Sequence, residues 1–173
     1  MDWNKRAKLF ATASVVLLMA VGCKISYSFS GSSIDYAVTK TIRISDFPNQ
    51  AALVYPPLSQ SFSEGLRDKY VRQTKLQLVQ ANGDMELEGE IVGYDVAPMA
   101  IKEDAYSSLT KLTMTVRVRF GNRANPDKDF EQNFSAFREF DSNRMLQDVQ
   151  ETLNDELTKE IADLIYNATV ADW

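Results

Sequence analysis

The chain is 173 residues long, 45% apolar and 25% charged, which is enough for one folded domain, too short for two ordinary ones and too apolar for disorder. It has no histidine and a single cysteine, Cys23, so His-based acid–base and nucleophilic chemistry, most zinc and non-haem iron sites and an intramolecular disulfide are excluded. A net charge of −5 argues against wholesale attraction to nucleic acid.

Lys5, Arg6 and Lys8 open the chain, and residues 9–22 follow without a charge. A basic start before an uncharged run too short to span a ~30 Å hydrocarbon core comfortably is the pattern of a targeting segment. The run ends on Ala20-Val21-Gly22, small residues directly ahead of Cys23. This is similar to a bacterial lipoprotein signal, in which the cysteine receives a diacylglyceryl group and becomes the first residue after cleavage. Residues 1–22 are therefore expected to be a lipoprotein signal peptide, with Cys23 as lipidation site and membrane anchor. Residues 23–38 are expected to form a lipidated, serine-rich tether interrupted by Tyr27 and Phe29. Lys24 follows the cysteine where aspartate does not, which by resemblance to known sorting rules favours the outer membrane and leaves the leaflet open.

Residues 39–173 are expected to form a single α/β sandwich domain. Thr39 to Ile44 alternates, with Ile42 and Ile44 on one face, and predicts a half-buried strand ended by Asp46-Phe47-Pro48-Asn49. Pro56-Pro57 introduces a helix whose stripe is Leu58, Phe62, Leu66 and Tyr70. Gly65 inside it costs ~1 kcal/mol relative to alanine and is expected to permit close approach to the sheet. Leu76 to Val79 predicts a short strand, followed by a turn at Asn82-Gly83. Met85, Leu87, Gly89 and Ile91 then alternate with Glu86, Glu88, Glu90 and Val92. The connection Ala97 to Leu109 is long for a hairpin and exposes Pro98, Met99, Ile101 and Tyr106, a candidate partner-contact loop.

Lys111 to Phe120 is the clearest strand, with Leu112, Met114, Val116, Val118 and Phe120 facing one way. Phe130, Phe134 and Ala136 mark a last strand. Asp141-Ser142 offers an N-cap to a long helix with the stripe Leu146, Val149, Leu153, Leu157, Ile161, Leu164 and Ile165. Acids outnumber bases along it, so it is expected to pack on the core rather than lie on a membrane. The whole reads as an α+β fold, β-α-β-β-β(-β)-α. Two helices pack on one face of a four- to five-stranded mixed, mostly antiparallel sheet, leaving the other face wet.

No nucleophile elbow, phosphate-cradling glycine loop or metal-ligand spacing appears, so no catalytic residue, metal or cofactor is expected. Glu86, Glu88 and Glu90 are expected to pair across strands with Arg117 and Arg119. Arg43, Lys111, Arg117 and Arg119, with Lys40, are candidates to hold phosphates of an amphipathic ligand.

Four stretches carry a family resemblance. They are Ile44-Ser45-Asp46-Phe47-Pro48-Asn49; Glu64-Gly65-Leu66-Arg67-Asp68 with Thr74-Lys75-Leu76; Gly83-Asp84-Met85-Glu86-Leu87-Glu88-Gly89-Glu90-Ile91 with Tyr94; and Leu112-Thr113-Met114-Thr115-Val116 through Asn122. In this order and spacing the chain resembles the LptE lipopolysaccharide-assembly lipoprotein family, in its Bacteroidota-type branch. The resemblance implies a non-enzymatic outer-membrane lipoprotein that is plug and assembly partner of the LptD β-barrel and helps deliver lipopolysaccharide or lipooligosaccharide. Its domain would face the periplasm or sit in the barrel lumen. It also makes Lys111, in the place of a frequent arginine, a candidate for lipid A phosphates, although lysine lacks the bidentate geometry of arginine. The alternative is another envelope-assembly lipoprotein, such as a secretion pilotin or a wall-synthase activator.

Overall fold

Strands and helices follow in the order β-α-β-β-β-β-α. A computed structural model describes residues 34–99 and 108–170 of the chain. The elements are β1 (Thr41–Ile44), α1 (Leu58–Gln73), β2 (Gln77–Leu78), β3 (Met85–Pro98), β4 (Leu109–Asn122), β5 (Phe130–Asp141) and α2 (Leu146–Thr169). The sheet order is β2-β1-β3-β4-β5; β1 runs parallel to both β2 and β3, and the β3-β4-β5 meander is antiparallel.

Period-2 patterning decides which face is buried. Ile42, Ile44, Met85, Leu87, Ile91, Leu112, Met114, Val116 and Val118 are all buried. From α1, Leu58, Phe62, Leu66 and Tyr70 meet them, and from α2, Val149, Leu153, Leu157, Ile161 and Ile165. Leu164 departs from the predicted stripe and is 39% exposed, because its neighbour Ile165 takes the inward place at this turn. The remaining sheet face stays in water, as expected from the alternation.

Four local features differ from the sequence reading. Gly65 approaches the other helix rather than the sheet: a Cβ there would stand 2.8 Å from Thr158 Cγ2 of α2. Asn82-Gly83 closes no hairpin, since β1 lies between β2 and β3. Instead the 79–84 connection crosses β1 so closely that a Cβ on Gly83 would come within 2.6 Å of Arg43 N. Asp141-Ser142 does not cap α2, which starts after Met145; the Asp141 carboxylate accepts from Asn143 N in a turn. Finally, β3 runs on to Pro98, which pairs with Thr110 inside the ladder, so the connection to β4 is shorter than predicted. Met99 N donates to Leu109 O, which leaves the donor-less nitrogen of Pro98 on the open side of the strand, where a proline is tolerated.

The stretch read as a turn, residues 46–49, is structurally central. Phe47 is fully buried, edge-on to Phe62, and α1 pins its backbone at both ends: Phe47 N donates to Ser63 Oγ and Ser59 Oγ donates to Phe47 O. Ile91 N donates to Pro48 O and Gln50 N to Ile91 O, so this stretch prolongs the parallel pairing of β1 with β3. A β-bulge between Ile91 and Gly93 then shifts the inward positions of β3 by one, which is how Tyr94 enters the core.

Candidate functional site

The wet face of the sheet gathers most of the cations singled out in the sequence. Arg43 on β1 reaches Glu88 of β3 at 2.6 Å and Glu86 at 3.6 Å. Arg123, just beyond β4, binds Glu86 at 2.7 Å. Arg117 on β4 binds Glu90 at 3.1 Å and approaches Glu131 of β5 at 4.0 Å. Glu86, Glu88 and Glu90 thus form rungs of a ladder of ion pairs over β1, β3, β4 and β5, not a row of free carboxylates. The Arg43 guanidinium is held above its usual pKa first by its hydrogen bond to Glu88, against the opposing effect of burial. Individually such half-exposed pairs contribute roughly 0–1 kcal/mol. Their structural effect is to neutralise this end of the face.

Arg119 and Lys111 behave differently. Arg119 stands in register between Glu88 and Glu131 and makes no ion pair among the described residues. Lys111 lies at the other end of the face, its ammonium 5.5 Å from the ring centre of Phe137 on β5. Phe137 is 51% exposed and lies opposite Thr113, with Thr115 and Ser135 on one side and Lys111 and Glu139 on the other. Val96, Leu109 and Met145, exposed apolar residues of β3, β4 and the entry to α2, lie at the same end of the sheet, Val96 on the helix side opposite Leu112 and Leu109 on the wet side. Pro98 and Met99 lie there too, in and next to β3, while Ile101, Tyr106 and Cys23 fall outside the described residues.

Sequence reasoning missed three residues that organise these surfaces. Asp84 locks β1 to the start of β3: its Oδ2 accepts from Lys40 N, Thr41 N and Thr41 Oγ1, each at 2.9 Å, and Asp84 N donates back to Thr41 Oγ1. These donors hold its carboxyl below the usual aspartate range, the Lys40 N–H first. Only the aspartate directly after Asn-Gly signals it in the sequence. Arg138 of β5 points to the helix side, where Glu156 and Glu160 of α2 bind it. Arg67 of α1 covers the carbonyl of Ile44 and pairs with Asp46, forming one wall of a groove of about 480 Å³ beside β1, where β2 has already ended. Ser45 also lines it, with a buried Oγ that has no hydrogen-bond partner among the described residues.

Among the described residues no group of three acidic, histidine or cysteine side chains is placed to hold a metal ion, and no helix is long and apolar enough to cross a membrane. What the geometry offers is surface: a charge-balanced sheet face with an aromatic and small-residue half.

Comparison with known proteins adds the following. The family model described as "LptE: Lipopolysaccharide-assembly" matches residues 39–169. Curated proteins give no sequence match. Among solved structures, the chain is similar to a minor lipoprotein from Acinetobacter baumannii, with 14% identity, a TM-score of 0.50, and coverage of 74% of this chain and 90% of that one. It also matches an uncharacterized lipoprotein B from Nitrosomonas europaea at 14% identity and TM-score 0.47, covering 73% and 79% of the two chains. A third match is the rare lipoprotein B from Shewanella oneidensis, at 15% identity and TM-score 0.44, covering 73% and 92%.

Proposed function

The chain belongs to the LptE lipopolysaccharide-assembly family, and on that premise we propose that it is an outer-membrane lipoprotein working as plug and assembly partner of an LptD-type β-barrel. The observation that carries the reading is the extent of the family match, residues 39–169, which takes in every helix and strand among the described residues. The family is one of assembly lipoproteins without enzymatic activity, and the wet face fits that role as a binding surface. A barrel lumen is polar and water-filled. A sheet face on which Arg43, Arg117 and Arg123 are already bound by glutamates can enter it with most of its charge compensated, which leaves Lys111 and Arg119 for a ligand.

In this reading Cys23 carries the lipid and ties the domain to the outer membrane, and the domain faces the periplasm or the lumen. Lipopolysaccharide or lipooligosaccharide is the transported ligand. Of the four candidate cations Arg43, Lys111, Arg117 and Arg119, Arg43 and Arg117 are engaged by glutamates, so Lys111 and Arg119 are the ones we assign to glycolipid phosphate. Pro98 at the end of β3 and Met99, Ile101 and Tyr106 of the connection that follows it are the residues we assign to contact with the barrel.

Affinity purification of the full-length lipoprotein from outer membranes in mild detergent tests the reading. A large β-barrel recovered in near-stoichiometric amount is the expected result. Recovery of a secretin or a wall synthase instead would replace the proposal by the pilotin or synthase-activator alternative.

A further inference from the structure

One outward position of the sheet breaks the alternation that governs its neighbours. The wet-face residues of β5 are Glu131, Asn133, Ser135, Phe137 and Glu139, and those of β4 are Lys111, Thr113, Thr115, Arg117 and Arg119. All are polar except Phe137. It is 51% exposed and is the only exposed large aromatic side chain among the described residues. Neither burial nor an aromatic partner across the ladder accounts for it, since Thr113 stands opposite.

The groups around the ring are hydroxyls and charges. Thr113 is opposite, and Thr115 Oγ1 and Ser135 Oγ share a hydrogen bond of 2.9 Å in the next row. Gly93 of β3 continues that row, where a Cβ would come within 3.1 Å of Thr115 Cβ, so the row has no large side chain. On the other side the Lys111 ammonium lies 5.5 Å from the ring centre. Asp95 stands opposite Thr113 on β3, and Glu139 opposite Lys111 on β5. Both carboxylates are exposed, and neither makes an ion pair among the described residues.

Two carboxylates beside one ammonium make a poor seat for an isolated anion. They suit hydroxyl groups, from which a carboxylate accepts and to which an ammonium donates. The aromatic ring adds a flat apolar face of negative potential, against which the C–H groups of a sugar ring stack. Lys111 and Arg119 stand eight residues apart on one strand, about 27 Å, so a single sugar ring meets only one of them. Phe137 is beside Lys111. We propose that Phe137 is the platform on which a sugar ring of the glycolipid stacks, with Asp95, Thr113 and Glu139 taking its hydroxyls and Lys111 its phosphate. Phe137 has this role only if the glycolipid reading above holds, and it adds recognition of the saccharide to that of the phosphate.

Calorimetric titration of the full-length lipoprotein in detergent tests this, with intact lipopolysaccharide and with its deacylated, phosphorylated saccharide as ligands. Wild type is expected to bind both, and excess inorganic phosphate to displace neither. Phe137→Leu keeps an apolar side chain but no ring, and is expected to weaken both by about fivefold. Phe137→Trp keeps a ring and is expected to stay within about twofold of wild type. The side chain is exposed, so the thermal transition of both variants is expected to persist. Equal binding by wild type and Phe137→Leu would overturn the proposal and leave the glycolipid reading standing. Binding of the intact lipid without the deacylated saccharide would do the same, in favour of acyl-chain contact. Displacement by inorganic phosphate would overturn it in favour of charge alone. Binding of neither ligand by wild type would remove the glycolipid reading, and the stacking role with it.

Discussion

At Asp84 a single carboxylate oxygen accepts three hydrogen bonds that bind the start of β1 to the start of β3. Bonds to a charged acceptor contribute more than neutral ones, about 1.5–3 kcal/mol each before the exposure of this site reduces them. Asp84→Ala is therefore expected to cost about 2 kcal/mol at pH 7, and Asp84→Asn, which keeps an acceptor and loses the charge, about half of that. The pH dependence has a defined sign. The folded-state pKa is depressed, so the stabilisation is fully present above the unfolded value of about 3.9 and is lost as pH falls through the folded value. Urea unfolding of wild type and Asp84→Asn should give curves that converge in acid; a gap that persists there would mean that the charge is not what matters. Glycines make a second comparison at this scale. A Cβ on Gly89 would come within 2.5 Å of the buried Phe47 ring and still closer to the Arg117 carbonyl, whereas one on Gly121 meets nothing within 4 Å. Gly89→Ala is expected to cost about 3 kcal/mol, with Gly121→Ala within about 0.5 kcal/mol of wild type, by thermal unfolding.

Between elements, the helix pair is joined where Gly65 of α1 faces Thr158 of α2. Alanine at position 65 has better helix propensity by ~1 kcal/mol, but its methyl group would lie 2.8 Å from Thr158 Cγ2. The crowding should win, so Gly65→Ala is expected to destabilise by about 1 kcal/mol. Thr158→Ser removes the offending methyl, and in that background the same glycine substitution should become neutral or stabilising; a double-mutant cycle by denaturant unfolding measures the coupling. If the two changes simply add, the contact does not set the helix spacing. The elements themselves were largely legible, because the stripe Leu58, Phe62, Leu66, Tyr70 and the alternation from Leu112 to Phe120 each match one period and one buried face. Their arrangement was less so. The parallel pairing of β1 with β2 and β3 depends on a connection crossing at Gly83, and the entry of Tyr94 depends on a bulge. Neither leaves a periodic trace in the chain. The candidate site was legible in its charges: the Glu86, Glu88 and Glu90 row does meet arginine. The partners of Glu86 and Glu88, however, come from Arg123 and Arg43 rather than from Arg119, because β1 lies beside β3 and shares its rungs.

For the whole molecule, charge and anchor divide the work. Without residues 1–22 the chain has 16 basic and 23 acidic residues, so an anionic bilayer repels the body on balance. The helix layer accentuates this, since α2 presents Asp148, Glu151, Asp155, Glu156, Glu160 and Asp163 against one base, Lys159. An interfacial helix would have the reverse composition. Membrane residence must then come from the lipid proposed on Cys23, where each buried methylene contributes ~0.8 kcal/mol and two or more chains make attachment effectively permanent. Cys23→Ser is accordingly expected to move the protein from the membrane pellet to the soluble fraction, with domain stability within about 0.5 kcal/mol of wild type. The fractionation should be done with the protein produced well above the level of any barrel partner and after a high-salt wash, so that neither partner capture nor weak ion pairing retains it. Under those conditions a variant that still pellets would show that the domain has membrane affinity of its own. Leu109 and Met145, exposed apolar residues at the start of β4 and the entry to α2, would then be the first to test, as residues that neither the core nor the ion-pair ladder accounts for.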